Sequence, residues 1–450
     1  MSVLSDRVYR RLFVAQVVAL TGTGLATVAL GLLAYDLAGG DASAVLGTAL
    51  AIKMVAYVGV GPLVGAVAHR VSRRGLMVGA DLVRAGTAVA LPFVAEVWQV
   101  YALILLLQAA SAAFTPTFQA TIPGVLPDER DYTRALSLSR LAYDLESLLS
   151  PALAAALLSV VPYRWLFAGT TVGFLGSAAL VLTVALPRRP APGGPPPRAS
   201  FGVRLFRATP RLRALLALDL AVAAAGAIVF VDSVVLVRDH FHRPAAALTL
   251  ALGAYGAGSL LAALLLPRLL GRTGDRTVML GAAAALPALL GAVAVLTAQA
   301  PSTGAWWAVL TAWALLGAGC SAVLTPAGRV LRRSAAEADL PAAFAAQFSL
   351  SHGCWLLTYP LAGWLAATAG LPVTATVLGA LALVSVAAAA RAWPRHEPEL
   401  LDHVHTGLPP GHPHLTGALP SGAGLRHGHP YVIDCYHHRW PSPAAASTAD

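Results

Sequence analysis

The sequence is short of charge: only 12% of its 450 residues are Asp, Glu, Lys or Arg, about half the share of an average soluble domain. Lysine is almost missing, Lys53 being the single one. A chain with 57% apolar residues and so few charges cannot use water as its main solvent, which excludes an ordinary soluble domain. Cysteine is scarce as well. Cys320, Cys354 and Cys435 are too few and too scattered for a disulfide framework, and the first two lie in apolar runs, where they read as small helix-packing residues. No Gly-x-x-x-x-Gly-Lys-Ser/Thr phosphate loop occurs, so neither nucleotide chemistry nor a cofactor is expected. No small-residue cleavage site separates Arg7, Arg10 and Arg11 from the first apolar run, which is therefore expected to be an uncleaved helix.

What is present is a series of apolar runs of about 20 to 25 residues, each long enough at about 1.5 Å per residue to cross a hydrocarbon layer of about 30 Å. Breakers between the runs predict helices near 12–37, 46–68, 76–98, 99–122, 136–162 and 164–186, and again near 213–236, 246–270, 278–299, 303–325, 343–368 and 370–392. The net charge of +10 is carried by arginine, and a basic chain invites a nucleic-acid reading. These arginines sit in short loops between apolar runs rather than on one face, so no nucleic-acid partner is expected; the partner surface is a lipid bilayer.

Arginine placement tests the helix count, because short cytoplasmic loops carry the excess of basic residues. With the amino terminus inside, the inside loops hold Arg70, Arg73 and Arg74, then Arg130 and Arg134, a cluster from Arg188 to Arg213, then Arg268, Arg272 and Arg276, and finally Arg329, Arg332 and Arg333. Outside loops hold only Arg164, Arg238 and Arg243. One missed helix would scramble this alternation, so both termini are expected in the cytoplasm of a cell (inner) membrane protein. The Pro-, Gly- and Arg-rich stretch 187–212 reads as a cytoplasmic linker between a half at 1–186 and a half at 213–392. The halves echo each other: Thr115-Pro116 recurs as Thr325-Pro326, the acids Asp128, Glu129 and Asp131 as Glu337 and Asp339, and Pro151 as Pro360. Three matches at one offset favour a duplicated six-helix unit.

The loop after the second helix runs Gly65-Ala-Val-Ala-His69-Arg70-Val-Ser72-Arg73-Arg74, similar to the Gly-x-x-x-Asp-Arg-x-Gly-Arg-Arg loop of the major facilitator superfamily. On these residues and the twelve-helix, two-half plan, residues 1–392 resemble that superfamily. The resemblance implies an all-α membrane protein of twelve transmembrane helices in two pseudo-symmetric halves that rock about a central cavity. It also implies a cytoplasmic gating loop built on Gly65, His69, Arg70, Arg73 and Arg74. His69 stands where the family has an acid and Ser72 where it has a second glycine; either the latch is weaker here or Asp81 supplies its acid.

In the fifth helix, Arg140, Asp144 and Glu146 lie within two turns of a segment that must cross lipid, and each costs roughly 2.5–3.5 kcal/mol at the centre of an isolated inserted helix. They must face protein or a watery path. Arg140 and Asp144 are spaced i, i+4 and can pair, while Glu146 points about 160° away from Asp144. One carboxylate can thus be structural and the other functional. Lys53 is a second charge within the membrane, either on the path or a partner of Asp36, Asp219 or Asp232. Asp219 and Asp232, with His352, Trp355 and Tyr359, are further cavity candidates, and Asp81 with Arg84 reads as structural.

Residues 393–450 hold nine of the thirteen histidines. His403-Val-His405, His412-Pro-His414 and His427-Gly-His429 repeat one spacing, and Cys435, His437 and His438 close the series. Imidazoles suit nickel, zinc and copper, and a disordered cytoplasmic tail lets several reach one ion. Such a tail on this plan is similar to that of the nickel-resistance exporters of the superfamily. The resemblance implies a monomeric, proton-coupled secondary transporter, not an enzyme, that exports a divalent metal cation, nickel first, with Glu146 and then Asp144 as proton carriers. The alternatives are a multidrug or siderophore exporter and a membrane sensor without transport.

Overall fold

The computed structural model describes residues 3–38, 42–67, 71–186, 201–244 and 246–395, and beyond them 400–405, 407–409, 412–422, 424–429, 431–434, 436–437 and 440. The first half consists of α1 (Arg7–Ala38), α2 (Ala42–Val67), α3 (Arg73–Ala90), α4 (Val97–Val125), α5 (Glu129–Leu158) and α6 (Arg164–Leu182). A short helix α7 (Phe201–Ala208) leads into the second half: α8 (Pro210–Val235), α9 (Ala246–Leu270), α10 (Asp275–Ala298), α11 (Thr303–Leu324), the one-turn α12 (Ala327–Arg332), α13 (Leu340–Ala369) and α14 (Leu371–Ala392). Setting α7 and α12 aside leaves the twelve expected membrane helices. Nine of the twelve, among the described residues, are long and apolar enough to cross a membrane on composition alone. Most bounds lie within about four residues of expectation. The larger departures are α1 and α5, which begin earlier, at Arg7 and Glu129, and α3, which stops at Ala90 because Pro92 turns Leu91–Phe93 into a 3-10 segment.

Every principal packing pair has a counterpart in the other half. α1 against α5 answers α8 against α13, α2 against α4 answers α9 against α11, and α3 against α6 answers α10 against α14. The halves meet through a matched pair, α2 on α13 and α5 on α9. Close approach of backbones is built on glycine: a Cβ on Gly317 of α11 would lie 2.0 Å from the carbonyl oxygen of Tyr255 in α9, and one on Gly258 would lie 1.8 Å from that of Ala314. Even-numbered membrane helices begin on the face opposite the arginine loops. Trp98, Trp165 and Trp307 sit at those beginnings, and Trp364 lies near the end of an odd-numbered one; all four are at least 60% exposed. Arginine thus marks one face and an interfacial tryptophan belt the other.

Two expectations change. The stretch 187–212 is not all linker: Phe201, Leu205 and Phe206 form an apolar stripe that folds α7 onto α13 and α8, and Pro210 already opens α8. Residues 187–200 lie outside the described residues. The tail is not without structure either. β1 (Leu401–His405), β2 (Leu419–Ser421) and β3 (Gly424–His429) form an antiparallel sheet in the order β1-β3-β2, with Gly422 at φ +55° in the turn before β3.

Candidate functional site

Between the halves, at mid-height, α2, α4, α5 and α13 bring together Lys53, Tyr57, Gln108, Glu146, Phe348 and His352. Lys53 Nζ lies 5.6 Å from the centre of the Tyr57 ring, and Lys53 is near enough to act electrostatically on both Glu146 and His352. Tyr57 Oη donates to Gln108 Oε1 at 3.0 Å, and its ring meets His352 edge-on at 4.7 Å. His352 Nδ1 lies 2.7 Å from the carbonyl oxygen of Phe348, so that nitrogen carries the proton and Nε2 keeps its lone pair. Ser349 Oγ donates to the Tyr57 carbonyl at 3.0 Å, tying the two halves beside the cluster. A second cluster in the C-terminal half is aromatic: Phe230 lies 5.2 Å from Tyr255 and 6.1 Å from Trp355, which lies 5.0 Å from Tyr359.

Glu146 is thus within electrostatic reach of Lys53, while Asp36 and Asp219 have hydrogen-bond partners of their own and Asp232 is buried in α8. Asp36 accepts from Tyr163 Oη at 2.6 Å, and Asp219 accepts from Gln347 Nε2 at 2.8 Å. Arg140 donates from Nε and Nη2 to Ser259 Oγ in α9, at 3.2 and 3.0 Å, bridging the halves. The side chain of Asp144 lies outside the described residues, and so do His69 and Arg70. Asp81 pairs with Arg84 one turn on in α3, and both are buried; the guanidinium is sandwiched 4.3 Å from Phe114 and 4.5 Å from Phe174. Of the gating-loop residues, Arg74 donates to the Leu182 carbonyl within its own half, and Arg73 is buried. Gly65 lies in the last turn of α2, and Ser72 caps α3 by accepting from Gly75 N at 3.0 Å.

The ion pairs of the arginine face come from elsewhere, those to Glu129 crossing between the halves and those to Asp275 lying within the second. Arg329 of α12 reaches Glu129 at 2.9 Å and Asp275 at 2.9 Å and donates to Thr133 Oγ1 at 2.6 Å; Arg333 reaches Glu129 at 2.5 Å and Asp275 at 3.2 Å. Arg332 adds a bond to the Pro127 carbonyl at 2.6 Å. In the sequence these residues served only to count loops and match repeats. An available signal was that Arg329, Arg332 and Arg333 stand between the repeated Thr-Pro and the repeated acids in the second half, where residues 117–127 of the first half hold no arginine.

In the tail, the His-x-His spacing is a strand pattern, since residues two apart share one face. His403 is paired with His427 in the β1–β3 register, so His403, His405, His427 and His429 gather on one side of the sheet. His414 and His437 close over them. His403 Nε2 lies 3.1 Å from His405 Nε2 and 2.9 Å from His437 Nε2, and His414 Nε2 lies 3.2 Å from His405 Nε2. His437 Nδ1 donates to Asp434 Oδ1 at 2.9 Å and His403 Nδ1 to the Leu401 carbonyl at 2.9 Å. These outer contacts turn two bare Nε2 lone pairs toward each other, a repulsive arrangement that a shared cation relieves. Ligands about 2.1 Å from one ion and at right angles are about 3.0 Å apart, close to the three Nε2–Nε2 distances, and the donor atoms of His403, His405, His414 and His437 all lie within 4.8 Å of one another. Burial, reinforced by the neighbouring histidines, holds His403 and His414 down at about 4 and also lowers His405 and His427, which keeps these imidazoles neutral and able to bind metal. His412 stands aside, accepting from His414 N at 3.2 Å, and Cys435 and His438 lie outside the described residues.

Comparison with known proteins agrees with this architecture. The family model described as Major Facilitator Superfamily matches residues 12–233 and 220–415. Macrolide efflux protein A of Streptococcus pyogenes is 30% identical over 154 residues, 33% of this chain and 37% of that protein; its counterpart in Enterococcus faecalis is 29% identical over 32% of this chain and 47% of its own length. The chain thus spans less than half the length of these curated relatives. Among solved structures, a bacterial homologue of the iron transporter ferroportin in an outward-facing state superposes with TM-score 0.75 at 13% identity, over 86% of this chain and 99% of that one. The human organic anion transporter MFSD10 gives 0.70 at 15% identity, over 85% and 99%, and the Escherichia coli fucose:proton symporter gives 0.65 at 15%, over 86% and 98%. With the family model covering nearly all of the helical region and both halves folded on one plan, the chain belongs to the major facilitator superfamily.

Proposed function

We propose that this transporter exports a divalent late-transition-metal cation, nickel foremost, in exchange for protons, with the arginine face and both termini in the cytoplasm. The observation that carries this reading is the histidine cage, whose all-nitrogen donor set suits nickel, copper or zinc and not magnesium or calcium. The path runs between the halves past Glu146, Lys53 and His352. In the empty path Lys53 balances the Glu146 carboxylate. A cation entering from the cytoplasm takes the carboxylate and the bare Nε2 of His352, and a proton arriving from outside displaces it once the halves have rocked. Low polarity around a carboxylic acid favours its neutral form, which makes such a proton swap feasible. The cage holds the same ion at the cytoplasmic mouth.

Two features support a second reading, export of an organic solute: the aromatic cluster of Phe230, Tyr255, Trp355 and Tyr359, and the macrolide efflux relatives. Counterflow of labelled nickel in proteoliposomes, with and without an imposed pH gradient, separates the two. The metal reading expects gradient-stimulated nickel flux that Glu146→Gln abolishes. Absence of nickel flux together with macrolide extrusion indifferent to removal of residues 393–450 overturns it.

A further inference from the structure

The tail does more than carry imidazoles. Ile433 is fully buried in the apolar core of the C-terminal half, with Tyr431 and Trp440 packed beside it. Tyr431 lies 4.5 Å from the His437 ring, 4.9 Å from His403 and 5.3 Å from Trp440. The Trp440 ring lies 5.4 Å from the guanidinium carbon of Arg211, in the first turn of α8. Arg211 in turn donates to Ser334 Oγ at 2.7 Å and to the carbonyl of Arg333. Arg333 is one of the two arginines that grip Glu129 across the halves. An unbroken line of contacts therefore runs from the cage through Tyr431 and Trp440 to Arg211, and from there to the ion pairs that close the arginine face.

We propose that loading of the histidine cage with a metal ion tightens the closure of the arginine face through Trp440 and Arg211. The proposal rests on the metal reading above and adds its regulation. An ion ligated by His403 of β1, by His414 and by His437 ties the sheet to His437 and, through the ring of Tyr431, to Trp440. With those rings fixed, Trp440 holds Arg211, and Arg211 holds the backbone from which the Arg333 side chain extends. Part of the ordering cost of the closed face is then met by the ion, so a loaded cage and a closed face favour each other. Linkage makes the effect reciprocal: closing the face raises the affinity of the cage for the ion.

The test is hydrogen exchange of the full chain in lipid nanodiscs, with nickel alone as the probe and bound nickel counted by equilibrium dialysis. In the wild type, nickel is expected to slow exchange about fivefold within 127–134 and 329–334. Trp440→Ala should bind the same amount of nickel and lose the slowing, while Trp440→Phe, which keeps a ring over Arg211, should retain it. His403→Ala with His437→Ala should lose nickel and slowing together. If Trp440→Ala slows as the wild type does, or if bound nickel leaves 127–134 unchanged in the wild type, the coupling is wrong and the metal reading stands. If the wild type binds no nickel, both fall.

Discussion

Lys53 shows how much one residue can mean in this chain. A lone lysine halfway along an apolar helix signals its own importance, and its sequence neighbours leave the partner open. Helix packing narrows it: α2 leans on α13 across the halves, and Lys53 lies within electrostatic reach of Glu146 and His352, while Asp36 and Asp219 are hydrogen-bonded to Tyr163 and Gln347. Each charge compensates the other in low dielectric, so removing one strands its partner. Glu146→Gln is expected to reduce transport at least about a hundredfold with folding intact, as general acid–base roles typically contribute about 10²–10⁴. Lys53→Met should lower the folded yield as well as the flux, and the double variant Lys53→Met with Glu146→Gln should recover yield without flux, as read by size-exclusion chromatography and vesicle transport. Asp81 was equally conspicuous in the sequence, and its role is local. It neutralises Arg84 in a fully packed setting, so Asp81→Asn should destabilise the protein by about 3–5 kcal/mol, measured by thermal unfolding in detergent.

Secondary-structure elements were readable from hydropathy wherever lipid was their solvent, and misread where a short segment was held by contacts distant in sequence. The helix bounds of the second half match expectation within three residues because their apolar runs are cut by clear polar breakers. α7 was hidden inside a Pro- and Arg-rich stretch, although its stripe of Phe201, Leu205 and Phe206 was present in the sequence. The cage was hidden for another reason. By composition alone a spacing of two says nothing of conformation, whereas in β1 and β3 it is the period of a strand. At the same scale, the α9–α11 contact depends on glycine. Gly317→Val would push two methyl groups into the backbone of Tyr255, and an overpacked site of this kind costs about 1–3 kcal/mol or more. The expected result is a lower unfolding temperature for Gly317→Val than for Gly353→Val, where a Cβ meets nothing within 4 Å.

At the level of the whole molecule, the duplicated plan was legible and the ion pairs between the halves were not. The repeat fixes which helices pair, but ion pairs between halves depend on the few ångströms by which α12 approaches α5. Arg329, 8% exposed, holds Glu129, Asp275 and Thr133 at once, so Arg329→Gln should shift the population toward an open arginine face. Spin-label distances across that face in nanodiscs should lengthen in the variant, and raised salt should mimic the change in the wild type by screening the exposed Glu129. An unchanged distance distribution would remove these pairs from the gate.

The two ligand quartets of the cage, His403, His405, His414 and His437, and His403, His414, His427 and His429, have two members in common. Two ions cannot both be fully coordinated by them. On the metal reading, the described residues of the tail therefore offer room for a single ion with two adjacent addresses, and passage between them would exchange two ligands while two keep hold. Such a site gives up its ion by partial steps rather than by one complete desolvation. That makes it poor as a store and well suited to rapid handover.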